Sequence, residues 1–193
     1  MTEAESKELA KYREFVRTLS AKSDGRIFLN SDPQHAVIVF EQIFDQSQEI
    51  VRIFAGNLTR TVGNDPAYIT ALSDFVERGG TIKILLNNYN EDLARKSNLY
   101  KRLAYYKSMG KDIVVKKTTA KPYRTSDAEQ KEIHFTVGDR KAYRIETNIE
   151  SRTAECSMDS PEIASITADF FDQLFDREDS VEIDLLRLFE YDE

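Results

Sequence analysis

The chain has one cysteine, two histidines and no apolar run near the roughly 18 residues a membrane span requires. A lone thiol, Cys156, excludes an intramolecular disulfide framework. His35 and His134 are too few for most zinc sites built from His and Cys, so no metal and no cofactor is expected. No GxGxxG, Walker A loop, GxSxG elbow or HExxH occurs, and the motif routes to dinucleotide, P-loop, serine-hydrolase and metalloprotease chemistry are closed. The opening residues, MTEAESKELAKYREF, are polar and charged rather than a signal core, which makes the cytoplasm the expected location.

What is present suits one acidic α/β domain. The 193 residues include 11 Phe and 9 Tyr, enough to fill a core without staples, and the net charge is −7. That charge is uneven. Residues 146–193 carry a net −12, which argues against nucleic acid wrapped all round, while Lys83 to Arg124 carries a net +8, which suits a local anion site or a solvated helix face. Tyr100, Tyr105 and Tyr106 among Lys101, Arg102 and Lys107 have the composition of a single-strand stacking surface. Leu99, Leu103 and Tyr106 also share a helical spacing that suits a core face.

Short apolar runs alternate with amphipathic stretches, the pattern of a layered sheet with helices on both faces. Helices are expected over about 3–21, from Pro33 after the cap Asp32, from Pro66 after Asp65 up to Gly79-Gly80, over about Glu91 to Met109, and from Pro161 after Ser160. Strands are expected over Arg26–Asn30, Ile50–Ala55, Thr81–Leu86 and Asp112–Lys116. Their β-α-β order predicts parallel pairing. Residues 118–130 read as a polar loop, and Lys131–Val137 with Lys141–Thr147 around Gly138-Asp139-Arg140 as an antiparallel hairpin. A last amphipathic segment, Val181 to Phe189, is expected to be a short helix. These divide the chain into an amino-terminal helix (1–23), one mixed α/β domain, mostly parallel with an antiparallel hairpin (24–178), and an acidic carboxyl-terminal helix or tail (179–193).

His134 is the reactive group that remains. Period-two alternation places it with Glu132 and Thr136 on one face of its strand and Ile133, Phe135 and Val137 on the other. On the order of elements, the segment ALSDFVERGGTIKILLNN and the stretch IHFTVGDRKAYRIET before a final helix, the chain resembles the phospholipase D superfamily over about residues 24–178. The resemblance implies a phospholipase D-like fold, a histidine nucleophile attacking phosphorus, a lysine and an asparagine on the phosphate oxygens, and a homodimer bringing two single motifs together. His134 matches the histidine of that motif. Thr136 stands where lysine belongs, Asp139 comes five positions after the histidine instead of seven, and the Gly-Ser pair falls on Glu146 and Thr147. The motif is therefore degenerate.

Candidates to rebuild a phosphate site are Lys131, Lys141 and Arg144, with Asn148 and the loop residue Asn57 as amides. Arg144 and Glu146 share a strand face and are equally placed to satisfy each other. Two functions follow from the resemblance. One is a non-hydrolytic binding, regulatory or scaffold module for a phosphate-containing ligand or a protein partner, set by analogy in a bacterial defence or conflict system. The other is a homodimeric, metal-independent phosphodiesterase or nuclease with His134 as nucleophile, Asp139 and Thr147 completing the catalytic set.

Overall fold

The computed structural model describes residues 3–126 and 129–189, among which ten strands and six α-helices occur. Helix α1 (Glu3–Ala21) leads into β1 (Phe28–Asn30), α2 (Pro33–Gln46), β2 (Ile50–Ala55), α3 (Pro66–Glu77) and β3 (Thr81–Leu86). Then come α4 (Glu91–Lys96), α5 (Asn98–Ser108) and β4 (Ile113–Lys117). A run of strands follows: β5 (Tyr123–Ser126), β6 (Glu129–Glu132), β7 (Phe135–Gly138), β8 (Ala142–Asn148) and β9 (Thr153–Ser157). The order closes with α6 (Pro161–Phe175), β10 (Val181–Glu182) and a short 3-10 turn at Arg187–Phe189.

Local chemistry sets most of these bounds. Asp32 accepts a hydrogen bond from His35 N at 2.9 Å and Pro33 occupies the first turn, which starts α2; Asp65 and Pro66 repeat the device for α3. Gly79 ends α3 at φ +96°, and Gly80 cannot be larger because an added Cβ would fall 2.3 Å from the Phe75 ring. The single helix expected over 91–109 is two. The Asn64 side chain accepts from Ser97 Oγ at 2.8 Å and from the backbone N of Asn98 at 3.0 Å, and this tertiary contact breaks the helix at Ser97.

Eight strands form one sheet in the order β1-β9-β8-β7-β2-β3-β4-β10. It is the mixed α/β sheet that the alternation predicts, with β2, β3 and β4 as its parallel block and the hairpin β7-β8 antiparallel beside β2. One face, built from residues such as Val51, Ile53, Ile82, Ile84 and Val115, packs under α1, α2, α3 and α5. Phe54, Leu85, Phe135, Val137 and Tyr143 point the other way, onto α6. Alternation of side chains along each strand separates the two cores.

Several expectations are corrected here. β1 is not parallel to its successors; it lies at the sheet edge, antiparallel to β9. β9 itself had no signal, because its five residues alternate a half-buried Thr153 and Glu155 with small buried side chains. The 118–130 stretch is not simply a loop, since β5 and β6 pair as a two-stranded sheet of their own. No face of that pair supplies an apolar period to read. The carboxyl-terminal segment is a two-residue strand and a 3-10 turn rather than a helix; Ile183 N bonds Val115 O at 2.8 Å, and Ile183, Leu185 and Leu188 are buried in the main core. Val16 and Leu19 of α1 join that same core.

Candidate functional site

The strands before and after the β7-β8 turn place their polar residues on the α2 side of the sheet, at the carboxyl end of β2. There the loop after β2 (Gly56, Asn57, Leu58, Arg60, Val62, Gly63) closes a cavity of about 160 Å³ with His134, Thr136, Arg144, Glu146, Ile149 and Arg152. That volume is near the roughly 150 Å³ of a cavity able to hold benzene, so it has room for one ring-sized or phosphate-sized group.

His134 lies between β6 and β7, and its side chain is 10% exposed. Its Nδ1 lies 3.1 Å from Glu146 Oε2, an ion-pair contact between two buried atoms that are not aligned as a hydrogen bond. Beneath them Arg144, which is 2% exposed, is fully committed. Its Nε donates to Asn30 Oδ1 at 2.9 Å, one terminal nitrogen to Glu146 Oε1 at 3.0 Å and the other to the Arg152 carbonyl at 3.0 Å, while the guanidinium lies 5.0 Å from the Phe40 ring. Arg152 sits at φ +60°, a left-handed conformation held by the hydrogen bonds that its carbonyl accepts from Arg144 and Asn30. Its own guanidinium is 3.4 Å from Glu146 Oε1.

Burial raises the pKa of Glu146, but the contact with His134 and the guanidinium of Arg144, with His134 and Arg152 adding to them, outweigh it and lower the net value. The site thus holds an ionised carboxylate behind the histidine. Cys156, near Asn30, is the opposite case: burial pushes its thiol up to about 12, which removes it as a nucleophile at neutral pH.

The structure gathers some of the sequence candidates and scatters others. His134, Thr136, Arg144 and Asn57 meet around the cavity. Asp139 is at the far end of β7, in a turn at φ +51°, where its carboxylate accepts from the backbone N of Glu49 at 2.9 Å and of Ile50 at 2.8 Å and also from that of Gln48. Lys141 is at that end too, with its Nζ 3.1 Å from Ser23 Oγ. The cause is the register, which pairs Gly138 with Ala142 and leaves the turn a strand's length from His134. Thr147 donates to the Thr153 carbonyl at 3.3 Å, and Asn148 accepts from the backbone of Glu150 and Ser151 at 3.0 Å, so both shape the β8-β9 turn. Lys131 is exposed on β6, paired in register with Arg124. These five stand outside the cavity.

Asp139→Ala is therefore expected to cost about 1–3 kcal/mol in a urea melt, the range for losing hydrogen bonds to a charged group, with the His134 environment unchanged by NMR. A shifted His134 resonance with unaltered stability would contradict this.

The sequence places Glu146 beside Arg144 but marks neither its contact with His134 nor Asn30, Gly56, Asn88 and Arg152 as part of the site. The signal for Glu146 was its place opposite His134 across the hairpin, where Glu146 N donates to His134 O at 2.8 Å. Asn30 and Arg152 come from 114 and 8 residues away from Arg144, and nothing local marks them.

The sheet order and the single histidine site on the carboxyl side of its parallel block define a phospholipase D-like fold. Solved structures with this fold include Nuc from Salmonella typhimurium, a phospholipase D family member (TM-score 0.56, 12% identity, 83% of this chain and 99% of that one). NucT from Helicobacter pylori is similar to the same degree (TM-score 0.57, 13% identity, 83% and 100%). TrmBL2, an archaeal chromatin protein with its own mode of DNA binding, matches over 94% of this chain at 14% identity and TM-score 0.56, and this chain spans 64% of its length. No family of known proteins matches the sequence, and neither does any curated protein. Among the described residues no helix is long and apolar enough to cross a membrane, and no group of three or more His, Cys, Asp or Glu side chains is placed to hold a metal ion.

Proposed function

We propose that the chain is a phospholipase D-like module that does not hydrolyse phosphodiesters and instead binds a phosphate-bearing ligand at the His134 cavity, acting as a homodimer or as a subunit of a larger complex. One observation carries this reading. Thr136, buried and uncharged, stands two residues after His134, and the guanidinium directly across the strand pair from it, Arg144, is spent on Asn30, Glu146 and Arg152. Arg144 is thus not free to take the place of the missing lysine on a transferred phosphoryl group, and losing such a donor costs on the order of 10² to 10³ in rate. Arg60 at the cavity wall and the half-buried Arg152 suit an anion at rest.

The test is hydrolysis of bis-para-nitrophenyl phosphate and of single- and double-stranded DNA at neutral pH in chelator. The wild type is expected to match His134→Ala, with no turnover in either, and Thr136→Lys alone is expected to gain none. A second reading, a homodimeric phosphodiesterase, is favoured by the Glu146 carboxylate behind Nδ1, which holds the imidazole as a nucleophile would need. Turnover that disappears in His134→Ala would establish it and overturn the first.

A further inference from the structure

With Nδ1 committed to Glu146, Nε2 is the imidazole nitrogen left for a ligand, and it already has a neighbour. Glu132 Oε1 lies 3.6 Å from it. The two carboxylates flanking His134 are held very differently. Glu146 is 4% exposed and braced by Arg144 and Arg152, whereas the Glu132 side chain is 38% exposed and accepts a hydrogen bond from Asn87 Nδ2 at 2.8 Å. Glu132 closes β6, which pairs with β5 in a separate two-stranded sheet among the described residues, and a ladder of this kind is marginal by itself. Its carboxylate is therefore the weakly anchored anion, reaching His134 from outside a cavity whose lining carries the charges of Glu146, Arg144, Arg152 and, on the loop across from them, Arg60.

We infer that Glu132 is an internal stand-in for the anionic ligand: its carboxylate occupies the oxyanion position at His134 Nε2, and a phosphate group binds by displacing it. The inference rests on the ligand reading above and adds its regulation. A third negative group cannot share that space with Glu132 in place without repulsion, and turning Glu132 out into solvent costs only its contacts with His134 and Asn87. Glu146 cannot take that role, because it is buried together with His134 and Arg144.

The experiment titrates inorganic phosphate at fixed pH 7 and fixed ionic strength, reading the imidazole proton resonances by NMR. The two histidines give two signals, assigned with a His35→Gln variant, and His35 serves as an internal control for the fold. Phosphate is expected to move the His134 signal alone, and Glu132→Gln is expected to lower the half-saturating concentration about threefold to fivefold, the range for a partly exposed ion pair. Asn87→Ala, which frees Glu132 without neutralising it, should move it in the same direction by less. Equal half-saturation in wild type and Glu132→Gln would overturn the role of Glu132 while leaving an anion site at His134. No phosphate-dependent movement in either protein would overturn the ligand reading and this inference together.

Discussion

Arg144→Ala is expected to lower the stability of the protein by about 3–5 kcal/mol, the range for stripping one partner from a buried ion pair. The loss comes from what is left behind more than from what is removed. Glu146, 4% exposed, would keep only the half-buried Arg152 and the imidazole of His134, Asn30 Oδ1 would lose its donor, and Phe40 would face a void. Since whole domains are stable by only 5–15 kcal/mol, an effect of this size is easily read in a urea melt. Arg144→Met combined with Glu146→Gln removes both charges and keeps most of the volume, so the pair should cost much less than the sum of the single changes. A loss near 1 kcal/mol for Arg144→Ala would mean that Glu146 finds water or another cation, and the account of the site as a closed network would fall.

The second large effect is the dependence of stability on pH through Glu146. Its pKa is lowered in the folded state, where the contacts with His134, Arg144 and Arg152 outweigh the cost of burial, so over the acid range the unfolded chain binds more protons than the native one. The contribution is complete above the ordinary glutamate value of about 4.3 and is lost as pH falls through the lowered native value. Glu146→Gln should reduce stability at pH 7, by about 3 kcal/mol on the scale of broken buried pairs, and should flatten the fall in urea midpoint below about pH 5. Melts at a series of pH values between 3 and 7 decide the matter. Parallel profiles for wild type and variant would show that Glu146 carries no such linkage.

Both effects arise in a network that the sequence only half displayed. The face rule put Arg144 and Glu146 side by side, and it put His134 with Thr136, because alternation along a strand is a local property of the backbone. The same rule could not say that Nδ1 of His134 would meet Glu146, since that needs the hairpin register. At the turn the spacing and the structure part: five residues from His134 to Asp139 suggest a shortened catalytic motif, yet the turn at Asp139-Arg140, both at positive φ, carries Asp139 to the far end of β7 to tie down the start of β2.

Sequence by itself determined most of the elements: the capped helices α2 and α3, the strands β2 and β3 at their observed bounds, and the existence of α6, whose buried face is set by Ala164, Ala168 and Phe171 rather than by the exposed Ile166 and Phe170 that its apolar spacing suggests. Each of these depends on residues within a few positions of one another, where caps, glycines and apolar periods act. Tertiary structure alone decided which strands are neighbours, that β9 and β1 exist as an antiparallel edge, and that Asn30, Arg144, Glu146 and Arg152 close behind His134. The side-chain contacts of that network join residues as far as 122 positions apart, and their stability comes from burying charge in pairs, a condition no local pattern encodes.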